Sequence, residues 1–501
     1  MKKSKNLNSN WRTSPKERFF YSLGFSSCVG ESLMLQTNLT TYLLLSGIPL
    51  SVSALVLLIM KGIDAVDDVL FGWIIDRFHP ENSRMLKKFL GNGRYIPWLR
   101  MLFFVMPSAV IMLYHIPTTW SVAAKCVWFC VFYLLAELGY TLLDVPMQSM
   151  LTTITEDTQE RDSIIFQRTL LQYSIVLIIG YANTIFISRY VGFSIGATTL
   201  LFCVVLVMGI IPMLFTVKEH TIIERQTFLA EENSSYESNA DPELEVNESI
   251  IDSFKTLLAN RNLISNYGGS ILSGCLATST AAGIFGSYYL WGNELVSMLT
   301  SLPQVLIMLV TLFVARKLVE KYDKHRLRMA MMPVSIILGL IVYFVGHNNL
   351  VVYLILTIIA MIPAGIASGA GSYMTPEIIE YGKYKTRKDC TAIQFAFVSF
   401  SIKLPSAVAG SLGLWVLDLF GWQTINAETF AEVVELGIEQ TPRAIDGLWF
   451  ITAGLPIIGT ILAYICYFFY NLRSKDAEIM ARANCGEISR AEAEATMSRK
   501  Y

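Results

Sequence analysis

The sequence is short of charge. Asp, Glu, Lys and Arg make up 16% of its 501 residues, while 53% are hydrophobic and 12% aromatic; a soluble globular domain carries about 25% charged residues. A chain of this balance is dissolved in lipid, so a partnership with the bilayer is expected and a water-soluble enzyme is excluded. The net charge is only −1, so no global field recruits nucleic acid or an anionic surface. Of the eight cysteines (Cys28, Cys126, Cys130, Cys203, Cys275, Cys390, Cys466, Cys485), none forms a CxxC pair and nearly all lie in apolar runs. They read as small buried hydrophobes, neither metal ligands nor disulfide partners. The five histidines supply no paired ligands, and no nucleophile has a partnered base, so neither an enzyme nor a resident cofactor is expected. Met1 to Arg18 is polar and basic, with no short apolar core leading to a cleavage site, so the first spanning helix is expected to do the targeting.

What is present is a series of long apolar runs. Crossing the hydrocarbon core takes about 20 mostly apolar residues as a helix. Candidate spans fall near Phe19–Leu45, Val52–Ile75, Ile96–Tyr114, Ala123–Leu143, Ile164–Ile187 and Phe193–Phe215. A second set falls near Leu263–Leu290, Leu295–Val314, Met329–Val345, Val351–Gly371, Ile393–Leu417 and Leu448–Tyr470. Between the sets, His220–Ile250 is rich in Glu, Ser and Asn and reads as a flexible acidic linker. The expected fold class is an all-α membrane protein of about twelve transmembrane helices in two six-helix bundles. Its divisions are a first bundle over 1–217, a linker over 218–258, a second bundle over 259–475 and a tail over 476–501. Basic residues cluster in the N-terminus, after the second and eighth spans, at Lys383–Lys388 and after Arg473, all on one side. The opposite loops hold little beyond Lys125, Arg189 and Arg443, so both termini are expected to be cytoplasmic.

Several charges stand where lipid should be. An ionisable group at mid-bilayer costs about 2.5 to 3.5 kcal/mol on insertion scales, so such groups normally face a cavity and mark a solute or ion path. In the second span, Asp64, Asp67 and Asp68 fall at i, i+3 and i+4, one face of a helix, with Lys61 just before them. Three carboxylates so close need a bound cation, a shared proton or a basic neighbour. A sodium ion or a proton satisfies them; the alternative is a salt-bridge cluster with Lys61 that fixes packing. Further buried charges come at Glu31, Glu137, Asp144, Arg168 and Lys403. Asp144, at the end of the fourth span in Tyr140-Thr-Leu-Leu-Asp144-Val-Pro146, and Arg168, near the start of the fifth, suit a polyol, a carboxylate accepting from hydroxyls and a guanidinium donating to them. The competing reading of that pair is an interhelical ion pair. Glu137 reads equally as cavity lining or packing. Lys403, inside an apolar run, is expected to point toward the acid cluster. The loops around Asp76-Arg77 and Arg316-Lys317 are either solvated topology signals or part of a charged inner gate.

At these residues the sequence resembles the glycoside-pentoside-hexuronide:cation symporters of the major facilitator superfamily, over nearly its whole length. The second-helix acidic stretch ending in glycine is Ile63-Asp64-Ala-Val-Asp67-Asp68-Val-Leu-Phe-Gly72, and the loop after it ends in Gly93-Arg94-Tyr-Ile-Pro97-Trp98. The fourth-helix motif is Asp144-Val-Pro146 with Thr155-Glu-Asp157 and Glu160-Arg161, the tenth-helix motif is Glu377-Ile-Ile-Glu380-Tyr381-Gly382, and the eleventh-helix lysine is Lys403. The resemblance implies the major facilitator fold and symport of a sugar or glycoside with a monovalent cation by alternating access. Cation binding is implied at Asp64, Asp67 and Asp68 with help from Thr141, the three acids being metal ligands if the ion is sodium. Solute binding is implied at Asp144 and Arg168, with Tyr140, Gln148 and Glu31 beside them. Coupling or gating roles are implied for Lys61, Lys403, Glu377, Glu380, Asp76 and Arg77. Gln148 replaces an aromatic platform and Val69 a proline, so the kind of sugar stays open, and a lipid or amphiphile on the same fold is the alternative cargo. The family also suggests a bacterial inner membrane.

Overall fold

The computed structural model describes residues 13–77, 95–155, 158–220, 260–386, 391–484 and 488–499, without the side chains of 64–77. The linker thus lies largely outside the described residues. In the first half the helices are α1 (Pro15–Leu45), α2 (Leu50–Arg77), α3 (Ile96–Leu102), α4 (Val105–Leu113), α5 (Val122–Ile154), α6 (Thr158–Ile187) and α7 (Ile195–Thr216). In the second half they are α8 (Arg261–Cys275), α9 (Gly283–Trp291), α10 (Val296–Val319), α11 (Lys324–Val345), α12 (Leu350–Ser372), α13 (Thr375–Thr386), α14 (Thr391–Leu419), α15 (Phe430–Glu435), α16 (Pro442–Trp449), α17 (Leu455–Tyr467), α18 (Ser474–Asn484) and α19 (Arg490–Thr496). Every expected span is occupied by helix, and among the described residues the only β feature is an isolated bridge between Ser46 and Asn426.

Seven helical segments are long and apolar enough to cross a membrane among the described residues. The first span is not one of them, for a physical reason. Ser22, Ser26, Ser27, Glu31, Ser32 and Asn38 lower its hydropathy, and they are buried together with Tyr21, Met34 and Leu35. Some of these buried polar groups pair with other helices. Asn38 and Asn183 exchange amide hydrogen bonds of 3.0 and 2.8 Å between α1 and α6, and Ser26 donates to Arg168 O at 3.2 Å.

The chain divides into two compact units. One holds the described residues up to His220 together with Thr424–Glu439; the other holds Asn260–Gln423 and the residues from Gln440 on. The sequence alone assigns 424–439 to the second bundle, so this segment is a departure. In the first unit α1 packs on α6 and α7, and α4 on α5. The last pair approaches closely at Gly139, where a Cβ would stand 2.8 Å from Met106 N and Cα. In the second unit α8 packs against α14 and α17, and α12 against α10 and α11.

Breaks in these helices are repaired by side chains from elsewhere. Pro146 inside α5 has no N–H to offer the carbonyl of Leu142 four residues back. The indole of Trp98 donates to that carbonyl at 2.9 Å. In the second unit the seventh span breaks after Cys275 and passes through a 3-10 turn at Thr278–Ala282, and the twelfth passes through a π-helical turn at Phe450–Gly454. The hydroxyls of Thr278 and Ser279 donate to Ile451 O and Thr452 O at 2.7 and 2.8 Å. At the chain ends of the helices, Glu219 accepts from Tyr95 N and Ile96 N, both at 2.9 Å, capping the third span. Arg100 donates through Nε and Nη2 to Leu214 O at the end of α7, at 2.9 and 2.7 Å.

The Trp98 bond makes a sharp expectation. Trp98→Phe leaves the Leu142 carbonyl without a donor and should lower stability by about 1 to 3 kcal/mol. Pro146→Ala restores an N–H four residues on, so in that background the cost of Trp98→Phe should fall by at least half. Melting curves of the four detergent-solubilised forms give the cycle; equal costs in both backgrounds would refute the repair.

Candidate solute and cation sites

The solute-site candidates converge in the first unit. Tyr140, Asp144 and Gln148 follow one another at i, i+4 and i+8, one stripe along α5. Gln148 Nε2 donates to Asp144 Oδ2 at 2.7 Å, and Gln148 is exposed. Tyr140 is half-buried and hydrogen-bonds Ser32 of α1. Arg168 on α6 lies near enough for its charge to act on Asp144, hydrogen-bonds the Tyr21 hydroxyl and sets its guanidinium 4.1 Å from the Phe25 ring centroid. Tyr21 in turn donates to Met147 O at 2.8 Å.

Three helices therefore hold one polar patch, with a carboxylate and an amide on one wall and a guanidinium on the other. Oxygen acceptors and planar N–H donors within one patch can take a hydroxyl-rich ligand. Tyr21 and Phe25 were not among the sequence candidates. Their signal was an aromatic pair four residues apart on the helix that carries Glu31, which reads from sequence as ordinary packing.

Glu31 lies on α1 next to Ser32, which bonds Tyr140. It is fully buried, and neither carboxylate oxygen has a hydrogen-bond partner. The sequence placed it beside the solute; in this conformation the helix packing encloses it. Thr141 is buried at 3% exposure and Glu137 accepts from Tyr133 at 2.7 Å. The backbone of α2 carries Asp64, Asp67, Asp68, Asp76 and Arg77 on a continuous helix, but their side chains lie outside the described residues; Lys61 is half-buried. Lys403 is exposed on α14.

Glu377 and Glu380 organise the basic end of the second unit. Glu377 pairs with Lys324 at the start of α11 and accepts from Ser474 Oγ at 3.2 Å. Glu380 accepts from Asn484 Nδ2 at 2.8 Å and lies 3.5 Å from Lys383. Both carboxylates thus face α18, so the tail is a packed element with Ala477 and Met480 buried against Ile378 and Tyr381. In the first unit Glu160 has a matching role: it accepts from Thr13 N at 2.9 Å and Thr155 Oγ1 at 2.7 Å, with Arg18 3.7 Å away, fixing the entry to α1.

The Lys324–Glu377 pair is only partly exposed, at 23% and 13%, so it should couple measurably. A double-mutant cycle of Lys324→Met and Glu377→Gln is expected to give about 1 kcal/mol of interaction energy in thermal unfolding, and additivity within about 0.3 kcal/mol would show the contact to be energetically empty.

Comparison with known proteins agrees with this architecture. The family model described as MFS/sugar transport protein matches residues 20–474. The chain is 27% identical over 489 residues to the uncharacterized symporter YnaJ of Bacillus subtilis, covering 93% of this chain and 94% of that one. It is 24% identical over 479 residues to the isoprimeverose transporter of Lactiplantibacillus pentosus, covering 93% and 90%. The crystal structure of the nucleoside transporter NupG superimposes with a TM-score of 0.59 at 12% identity, covering 91% of this chain and 100% of that one. At that identity the likeness shows the fold alone, which is that of the major facilitators.

Proposed function

Because the chain belongs to the MFS/sugar transport protein family, we propose that it is a secondary active transporter, carrying a sugar or glycoside by cation-coupled symport with alternating access. The observation that carries the reading is the Tyr140–Asp144–Gln148 stripe with Arg168 near enough for its charge to act on Asp144. Such a patch recognises hydroxyls by direct hydrogen bonds, and a buried polar site rejects a ligand that leaves its groups unpaired. The relatives support the cargo class, one of them bearing the name of a transporter of isoprimeverose.

The driving cation, Na+ or H+, belongs on α2. Asp64, Asp67 and Asp68 present three acids to one helix face, and neutralising them by a bound cation changes the charge seen by the whole first unit. Coupling is a difference in binding free energy, typically about 1 to 3 kcal/mol between sites. Lys403 and Lys61 are the basic groups that compete for those carboxylates when the cation leaves. The distribution of Lys and Arg sets both termini in the cytoplasm, so Glu377, Glu380 and the tail helices stand at the cytoplasmic gate. The membrane is taken to be a bacterial inner membrane.

Uptake of labelled glycosides, pentosides and hexuronides into inside-negative proteoliposomes, with and without a sodium or proton gradient, tests the proposal. One class should be taken up faster with the gradient. Asp144→Asn and Arg168→Lys should each cut its uptake at least about tenfold, some 1.4 kcal/mol, with folding retained. Gradient-indifferent uptake sinks the coupling. Failure of every sugar beside a working control symporter sinks the cargo class and turns the search to amphiphiles.

A further inference from the structure

The segment 424–439 joins α14 to α16 in the second half of the chain, yet it folds as part of the first unit. Gly47 N donates to Ile425 O at 2.8 Å, and Ala427 N to Leu45 O at 3.1 Å, around the antiparallel bridge between Ser46 and Asn426. Lys125, on the first turn of α5, is 4% exposed. Its Nζ donates to Ser46 O at 2.7 Å and to Asn426 Oδ1 at 3.2 Å. Ile425 is 1% exposed, and Phe430 and Val433 are fully buried. Gly47 has φ +71°, and a Cβ there would stand 2.6 Å from Asn426 Oδ1, so the seat requires glycine both for its backbone and for the close approach.

The neck of the segment is anchored to the second unit. Trp422 is buried edge-on against Phe285 and Tyr289, with ring centroids 6.0 and 5.5 Å away. Gln423 N donates to Gln440 Oε1 at 2.8 Å, and Gln440 Nε2 to Gln423 O at 3.1 Å, closing the neck on itself. Only Gln423 and Thr424 separate buried Trp422 from buried Ile425, and three residue steps reach at most about 10 Å. A displacement that carries the neck beyond that reach must pull Ile425 from its bonds or tear Trp422 from its aromatic packing. The seat combines the buried apolar side chains of Ile425, Phe430 and Val433 with directional polar contacts centred on a buried lysine. Such a joint can part and reseal in water.

We propose that 424–439 is a latch on the non-cytoplasmic side of the carrier, positioned by Lys125, that leaves its seat on the first unit whenever the carrier opens outward. The inference rests on the alternating-access reading above, because only relative movement of the two units loads the short limb.

A disulfide across the bridge tests it. In the Ser46→Cys, Asn426→Cys double variant, oxidation should cut cation-driven uptake at least tenfold, and reductant should restore it, while each single variant is indifferent to oxidation and so controls for the native cysteines. Oxidised protein that transports as fast as reduced protein overturns the latch. If no form takes up any sugar, the cargo reading falls while the latch is still decided by spin labels at Thr119 and Glu435, both exposed on the first unit. The latch requires a second, longer distance population, enriched by Lys125→Met; a single unchanged population in parent and variant, at every sodium concentration and pH, overturns it.

Discussion

A backbone carbonyl freed inside a lipid-embedded helix favours a donor from elsewhere in the protein, and two such repairs tie spans of this protein together. Lipid supplies no water to satisfy an orphaned group, at a cost of several kcal/mol each. Pro146 frees Leu142 O, and Trp98 from the neighbouring span answers it. The π-helical turn at Phe450–Gly454 is answered by the hydroxyls of Thr278 and Ser279 from a 3-10 turn of another span. Each repair ties two helices together at a fixed depth. A bundle with little hydrophobic drive between its helices gains its registration from such directional bonds.

The same constraint bears on the solute patch. Asp144 stands two residues before the proline, on the stretch of α5 whose position Trp98 fixes from outside. Tyr21 donates to Met147 O one residue beyond it. The patch is thus mounted on a break in the helix that its neighbours hold in place. Arg168 is treated similarly, its guanidinium stacked on Phe25 and bound to Tyr21, so the long side chain is ordered before any ligand arrives. Ordering in advance removes an entropic cost from binding.

The spans were legible in the sequence because hydropathy and length are local properties. Helix ends were legible to within a few residues, except where polar residues continue a helix beyond the bilayer. α5 runs to Ile154, eleven residues past the expected end, because Gln148, Ser149, Thr152 and Thr153 are neutral and propagate a helix that hydropathy alone would stop. Within the site, the Gln148–Asp144 bond was readable from i, i+4 spacing. The Arg168–Phe25 stack was not, since it depends on how α1 and α6 pack. The burial of Glu31 was not legible either, since it too depends on how the helices pack around α1. The tail helices of the second unit carry charge and little hydropathy, and nothing local in Ser474–Asn484 announces that it docks on α13.

Least legible was the segment 424–439, because its partners lie more than 300 residues away in sequence. Its composition, with Glu432 and Glu435 on a six-residue helix and Glu428 and Glu439 flanking it, reads as a solvated loop. Yet its apolar residues Phe430 and Val433 are as buried as any in the protein, because they are spaced to one face of a single helical turn. A short loop in water does not order such a face without a surface to cover. The neighbouring residues 425–427 bond the turn after α1 and Lys125 at the start of α5, which would otherwise be a lone cation at the end of an apolar helix. Buried lysine and acidic loop explain each other: the lysine needs oxygens that its own helix cannot provide, and the loop provides them through Asn426 and the backbone it pairs with.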